Sequence, residues 1–202
     1  MKLHLFTKVF QLLVDVYGVA TYREINPAPF TIITFPFLFA IMFGDAGHGL
    51  LMTLIAAWMV LKETAILNQK SKNEIFNMIF GGRYIILLMG LFSIYVGFLY
   101  NDFFSKSVNL FGSAWSVTRL SSESYSKDTH TLYPMNENCY RQTPYWVGID
   151  PIWQVSNNKV LYLNSYKMKM AVLLGVFQMI FGLVLSYQNA KYVIFYHSYL
   201  NY

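Results

Sequence analysis

Five ionisable side chains stand in or beside apolar surroundings, and they are the first candidates for chemistry: Asp45, His48, Asp102, Lys167 and Lys169. An ionisable group at membrane depth is costly to bury and is a functional candidate by default. Asp45 and His48 are three residues apart and would share one face of a helix. A carboxylate beside an imidazole can handle a proton or an ion. Equally, Asp45 can cap a following helix while the glycines around it turn the chain. Asp102 closes an apolar run, where solvation alone accounts for a carboxylate. Lys167 and Lys169 open another such run, either snorkelling to headgroups or pairing with Asp45 or Asp102 at the same level.

Other chemistry is excluded. Cys139 is the single cysteine, and His4, His130 and His197 are scattered, so nothing has metal-ligand spacing and no Ser-His-Asp or Cys-His arrangement can be drawn. The run Gly44 to Gly49 lacks the Lys-Ser/Thr that follows a phosphate-cradling loop. No catalytic residue, metal or cofactor is expected.

What must position the five groups is set by composition. Of 202 residues, 55% are hydrophobic, 18% aromatic and only 12% charged. That charged share is about half of what a globular domain carries, too few to coat a water-facing surface. Mean hydropathy is +0.38. Disorder and collagen are excluded, and without a Lys/Arg cluster so is a nucleic-acid partner. The lipid bilayer is the expected surrounding.

Three stretches are nearly free of charge. Residues 31–61 contain only Asp45 and His48, while 84–100 and 170–187 contain no charge at all. The last two are each long enough for about one crossing. The first would make a straight helix of roughly 46 Å, too long for a hydrocarbon core of about 30 Å. Three glycines in the six residues from Gly44 break it into a hairpin of two short arms, with Lys62 and Glu63 snorkelling at the far end. The expectation is an all-α polytopic membrane helix bundle with about four transmembrane helices and a long luminal loop.

Orientation follows the positive-inside rule. Residues 62–83 hold four Lys or Arg in 22 positions, whereas 101–166 hold five in 66. The denser segment belongs in the cytosol. The expected division is 1–29 cytosolic amphipathic helix and Pro-rich lead-in, 30–66 membrane hairpin, 67–82 cytosolic linker, and 83–101 third membrane helix. Residues 102–166 then form the luminal loop, 167–188 the fourth membrane helix, and 189–202 a divergent cytosolic tail. Phe6, Phe10, Leu13 and Val14 recur at helical spacing in the first segment, which is interrupted by charge and does not read as a signal peptide. Gly90 and Gly97, and likewise Gly175 and Gly182, are seven apart, a spacing suited to close helix packing.

Seven blocks carry a family resemblance: Asn26-Pro-Ala-Pro-Phe-Thr, Phe35-Pro-Phe-Leu-Phe-Ala-Ile-Met-Phe-Gly-Asp-Ala-Gly-His-Gly, Gly82-Arg-Tyr-Ile-Ile-Leu-Leu-Met-Gly-Leu-Phe-Ser, Tyr100-Asn-Asp, Asn109-Leu-Phe-Gly-Ser, Gly148-Ile-Asp-Pro-Ile-Trp and Leu163-Asn-Ser-Tyr-Lys-Met-Lys-Met. In this order they resemble subunit a of the eukaryotic vacuolar-type proton ATPase, from about Phe6 to Ser186. The resemblance implies a stator component beside a rotating proteolipid ring, with the other pump subunits as partners. It implies acidic endomembranes (vacuole, lysosome, endosome or Golgi) or the plasma membrane, and ATP hydrolysis in a separate peripheral sector. By resemblance, Asp45, Asp102 and the Lys167/Lys169 pair correspond to charged positions tied to the luminal half of the proton path, and His48 shares the Asp45 turn. The family's later helices, which carry an arginine facing the ring carboxylate, have no counterpart here. A truncated product, splice form or partial gene model is therefore expected, unable to move protons alone. The alternative function is a non-transporting scaffold or assembly competitor.

Overall fold

A left-handed glycine sets the first sharp feature of the backbone. Gly44 (φ +49°) ends one apolar helix, and Asp45, in extended conformation, starts the next. The computed structural model describes residues 2–19, 24–68, 74–109, 111–115, 145–154 and 156–200. Its helices are α1 (Lys2–Asp15), α2 (Ala28–Phe43), α3 (Ala46–Leu61), α4 (Glu63–Asn68), α5 (Glu74–Gly81), α6 (Arg83–Tyr100) and α7 (Lys159–Leu200), with a 3-10 turn at Pro151–Gln154. Among the described residues there is no strand, only an isolated bridge between Phe103 and Lys106. The chain is all-α. His130, Cys139 and the Ser-rich stretch 121–131 lie outside the described residues, as do the side chains of His4 and His197.

Among the described residues, two helices are long and apolar enough to cross a membrane: α6, with 18 residues, and the part of α7 from Lys159 to Ile194. Helices α2 and α3 are apolar but have 16 residues each, about 24 Å. Helix α7 passes both charge boundaries of its apolar run, starting at Lys159 and continuing to Leu200. Charge marks where apolarity ends, whereas a helix ends where its terminal donors and acceptors find other partners. No proline interrupts residues 159–200.

Contacts fix the relative directions. Along α2 and α6, Phe37 meets Phe92 and Tyr100 Oη reaches the Ile41 carbonyl, so these two run parallel. Helix α3 runs against α6, with Ala46 on Gly97 at one end and Glu63, just beyond it, on Arg83 at the other. Helix α7 runs against α2: Lys167 lies beside Asp102, Gln178 meets Thr34, and Asn189 bonds the Ile25 backbone. The hairpin arms α2 and α3 pack chiefly on α6 rather than on each other. At the Arg83 end, α1 seats its fully buried Phe10, and Phe6 meets Tyr84 edge-on.

The α3–α6 seam is made of small residues. Gly97, Ser93 and Gly90 on α6 face Ala46, Gly49 and Thr53 on α3. A Cβ at Gly97 would overlap the Ala46 backbone, and one at Gly49 would lie 2.9 Å from Ser93 Oγ. Small residues let two backbones approach where no hydrophobic force separates protein from lipid tails. The matching pair on α7 differs. Added Cβ atoms at Gly175 and Gly182 would meet nothing within 4 Å among the described residues.

That contrast predicts opposite outcomes for one chemical change. Gly97→Ala should destabilise the fold by about 1–3 kcal/mol through overpacking, whereas Gly182→Ala should cost nothing. Thermal unfolding midpoints in detergent measure both.

Candidate functional site at the Asp45 end

The turn between α2 and α3 places Asp45 where it serves two structures at once. Its Oδ1 accepts from Gly47 N at 2.8 Å, the N-cap bond of α3, and from Phe104 N at 3.1 Å. Its Oδ2 lies 2.5 Å from His48 Nδ1. Its main-chain carbonyl accepts from Gly49 N and from Ser93 Oγ. Asp45 is therefore a helix cap, and the same carboxylate also holds the loop after α6 and an imidazole. In the neutral imidazole that donates from Nδ1 to this carboxylate, Nε2 is an acceptor. The His48 side chain is 55% exposed against 13% for Asp45, and its ring is flanked edge-on by Phe43 and Phe104.

An ionic contact sits beside this hydrogen bond. Lys167 Nζ lies 3.0 Å from Asp102 Oδ2 and 5.2 Å from the Tyr100 ring centroid. The two sites are joined by backbone, since Ala46 N donates to the Asp102 carbonyl at 3.0 Å. Of the two carboxylates open to Lys167 from the sequence, the structure takes Asp102. Lys169 is exposed and makes no ion pair among the described residues. A cavity of about 20 Å³ adjoins Asp102 and Lys167, lined also by Asn101, Ser107, Asp150 and Gln154. A polar space of that size accommodates about one water molecule.

Two residues that the sequence reading passed over organise this end. Asn101 caps α6 in the left-handed conformation (φ 50°), which Asn tolerates better than most side chains. Its Nδ2 donates to the Ile149 carbonyl and its Oδ1 accepts from Val108 N, both at 3.0 Å. Asp150, 8% exposed, accepts from Ser113 Oγ at 2.8 Å, Ala114 N at 2.9 Å and Ile152 N at 3.1 Å. The Asp150-Pro151 pair was the available signal, because Asp before Pro favours such side-chain-capped turns. Trp153 then stacks on Tyr162 of α7 at 4.0 Å and meets Trp115 edge-on.

The opposite end holds a different pair. Arg83 is 4% exposed, with Nη2 2.9 Å from Glu63 Oε1 and Nη1 donating to the Phe80 carbonyl. Glu63 does not snorkel as its place beyond the apolar run implied. Arg83 and Tyr84 hold its two oxygens, because α3 delivers it onto the start of α6. No cluster of three or more metal-ligating side chains occurs among the described residues.

Comparison with known proteins gives concordant matches. Residues 1–200 match the profile of the V-type ATPase 116kDa subunit family. The chain is similar to the V-type proton ATPase 116 kDa subunit a1 of Xenopus laevis, with 59% identity over 196 residues, 95% of this chain and 24% of the relative. It is 56% identical over 198 residues to subunit a 4 of Homo sapiens, covering 93% of this chain and 23% of that protein. For subunit a 1 of Caenorhabditis elegans the identity is 54% over 200 residues, 95% of this chain and 22% of that protein. The chain thus spans about a quarter of the length of these relatives.

Because Asp45 caps α3, its substitutions should separate by geometry. Asn retains an oxygen for Gly47 N and Phe104 N, so Asp45→Asn should unfold close to the unsubstituted chain. Asp45→Ala should lose about 1–2 kcal/mol. Thermal unfolding in detergent checks the difference.

Proposed function

From the premise that this chain belongs to the V-type ATPase 116 kDa subunit family, we propose that it forms part of the stator in the membrane sector of a vacuolar-type proton pump and serves the luminal half of proton transfer. The observation that carries the reading is the joined pair of polar contacts, the Asp45–His48 hydrogen bond and the Asp102–Lys167 ion pair, at one end of the apolar helices. Such a pump acidifies intracellular compartments. Its proteolipid ring and remaining subunits are the partners, and ATP is hydrolysed elsewhere in the complex.

In this reading α2, α3, α6 and α7 all cross the bilayer. The 16-residue arms match a locally thinned bilayer with flanking groups reaching outward. The Asp45 end faces the lumen and the Arg83 end the cytosol, in keeping with the Lys/Arg density of residues 62–83. At the luminal face His48 is the solvent-facing member of its pair. An imidazole that keeps one nitrogen on a carboxylate can take up or release a proton at the other. Asp102 is half-buried and held by a cation, so it can exchange a proton without being stranded as a lone charge in lipid. Lys169, at the same level, adds positive potential without a fixed partner among the described residues.

Two measurements test this proposal. In a full-length relative carrying this segment, Asp102→Asn and His48→Gln should each lower ATP-driven vesicle acidification several-fold while assembly and ATP hydrolysis persist. Exchanging the partners (Asp102→Lys with Lys167→Asp) should restore part of the loss. Normal acidification in both single variants would end the proton-transfer role. For topology, a cysteine replacing the exposed Trp146 in a Cys139→Ser background should label from the lumen, and one replacing Leu67 from the cytosol. Labelling of both from the same side would refute the four crossings.

A further inference from the structure

A cavity larger than the one beside Asp102 lies away from these charges, at the Arg83 end, in the angle between α1 and the start of α2. It measures about 490 Å³ and opens outward. Its lining divides by chemistry. Thr7, Lys8 and Gln11 on one face of α1, together with Asn26, form a polar wall, while Pro29 and Ile32 of α2 contribute an apolar one. The polar wall is rich in donors. Asn26 Nδ2 gives one hydrogen to Gln11 Oε1, and Gln11 Nε2 gives one to Asp15, so each amide keeps a second N–H. Lys8 is exposed and has no ion-pair partner among the described residues. The cavity thus offers donors and a positive charge beside a hydrocarbon wall, and a ligand that fits needs an anion and an apolar chain in one molecule.

We propose that this cavity binds a glycerophospholipid of the cytosolic leaflet, its phosphodiester on Lys8 and the second amide hydrogens of Gln11 and Asn26, its chain along Pro29 and Ile32. The proposal rests on the membrane reading above, which brings an amphipathic helix carrying Phe6, Phe10 and Leu13 to the level of the headgroups. The apolar wall continues past Pro29 into a second groove of about 360 Å³ between α2 and α7, lined by Phe30, Ile33, Phe37 and Phe177. Pro29 lines both spaces, so one acyl chain can pass from the polar pocket into a mostly apolar track, whose Thr34 and Gln178 bond each other. A free phosphate would use the donors and leave the track unfilled, so the lipid is the occupant that uses both.

Native mass spectrometry of the purified chain in mild detergent, titrated with phosphatidylglycerol, tests the site. One lipid should remain bound, and Lys8→Met should weaken it about fivefold, the effect of one basic residue at a lipid surface. Lys8→Arg should retain binding, and Lys191→Met, outside the cavity, should change nothing. Millimolar inorganic phosphate should leave the bound lipid in place. Equal lipid retention in the unsubstituted chain and Lys8→Met would overturn the proposal, and so would displacement by inorganic phosphate. A chain released from membranes by alkaline carbonate would overturn the membrane reading and the lipid site together. An integrated chain with Lys8-independent lipid would overturn the site alone.

Discussion

The contact on which the rest of this structure depends is the approach of α3 to α6 at Gly97. With no side chain there, the Ala46 backbone reaches the last turn of α6, and Ala46 N donates to the Asp102 carbonyl. That bond ties the start of one helix to the residue just past the end of another. It is bought by three small residues on each helix at matched spacing: Gly90, Ser93 and Gly97 against Thr53, Gly49 and Ala46. In lipid such backbone proximity replaces the hydrophobic burial that drives packing in water.

Once the seam is closed, the positions of the charges follow. Asp45 lies directly before α3, so it comes within reach of Ser93 on α6 and Phe104 in the following loop. Asn101 turns the chain through a left-handed residue, and Asp102 then sends its carbonyl toward α3 and its carboxylate toward α7. One residue thereby links three helices. The segment around Asp150 closes over this junction from outside, with Trp153 stacked on Tyr162. The Asp102–Lys167 contact is a consequence of helix packing more than of its own attraction, which between partly exposed groups is worth about 1 kcal/mol or less, whereas Asp45–His48 is local to the first turn of α3.

How much of this was legible in the sequence depends on what each signal measures. The all-α class was legible, because apolar runs this long with so few charges have no other way to satisfy their backbone in lipid. The interruption at Gly44–Asp45 was legible because a break within 31 apolar residues requires residues of that kind. The limits of α7 were not, since apolarity reports the surroundings of a helix and not its hydrogen-bonded ends. Spacing had the same limit with glycine. The seven-residue interval is shared by Gly90/Gly97 and Gly175/Gly182, yet only the first pair meets a neighbour. Periodicity says which residues share a face and is silent on what faces them. For the same reason the partner of Lys167 stayed open between two carboxylates until the cap at Asn101 decided it.

The two ends of the bundle hold ion pairs of similar length and contrasting surroundings, and that contrast bears on what each can do. Arg83–Glu63 spans 2.9 Å with side-chain exposures of 5% and 24%, and Phe80 and Tyr84 lie against the guanidinium. An arginine stays charged at any physiological pH, so this pair cannot exchange a proton through its cation. Removing Glu63 would strand the buried Arg83 charge, a loss of about 3 kcal/mol. It is a bolt between α3 and α6. Asp102–Lys167 spans 3.0 Å with exposures of 26% and 31%, beside a cavity large enough for about one water. Its members are both partly exposed and reachable from solvent. The first kind of pair fastens helices together, whereas the second kind leaves its charged groups open to solvent.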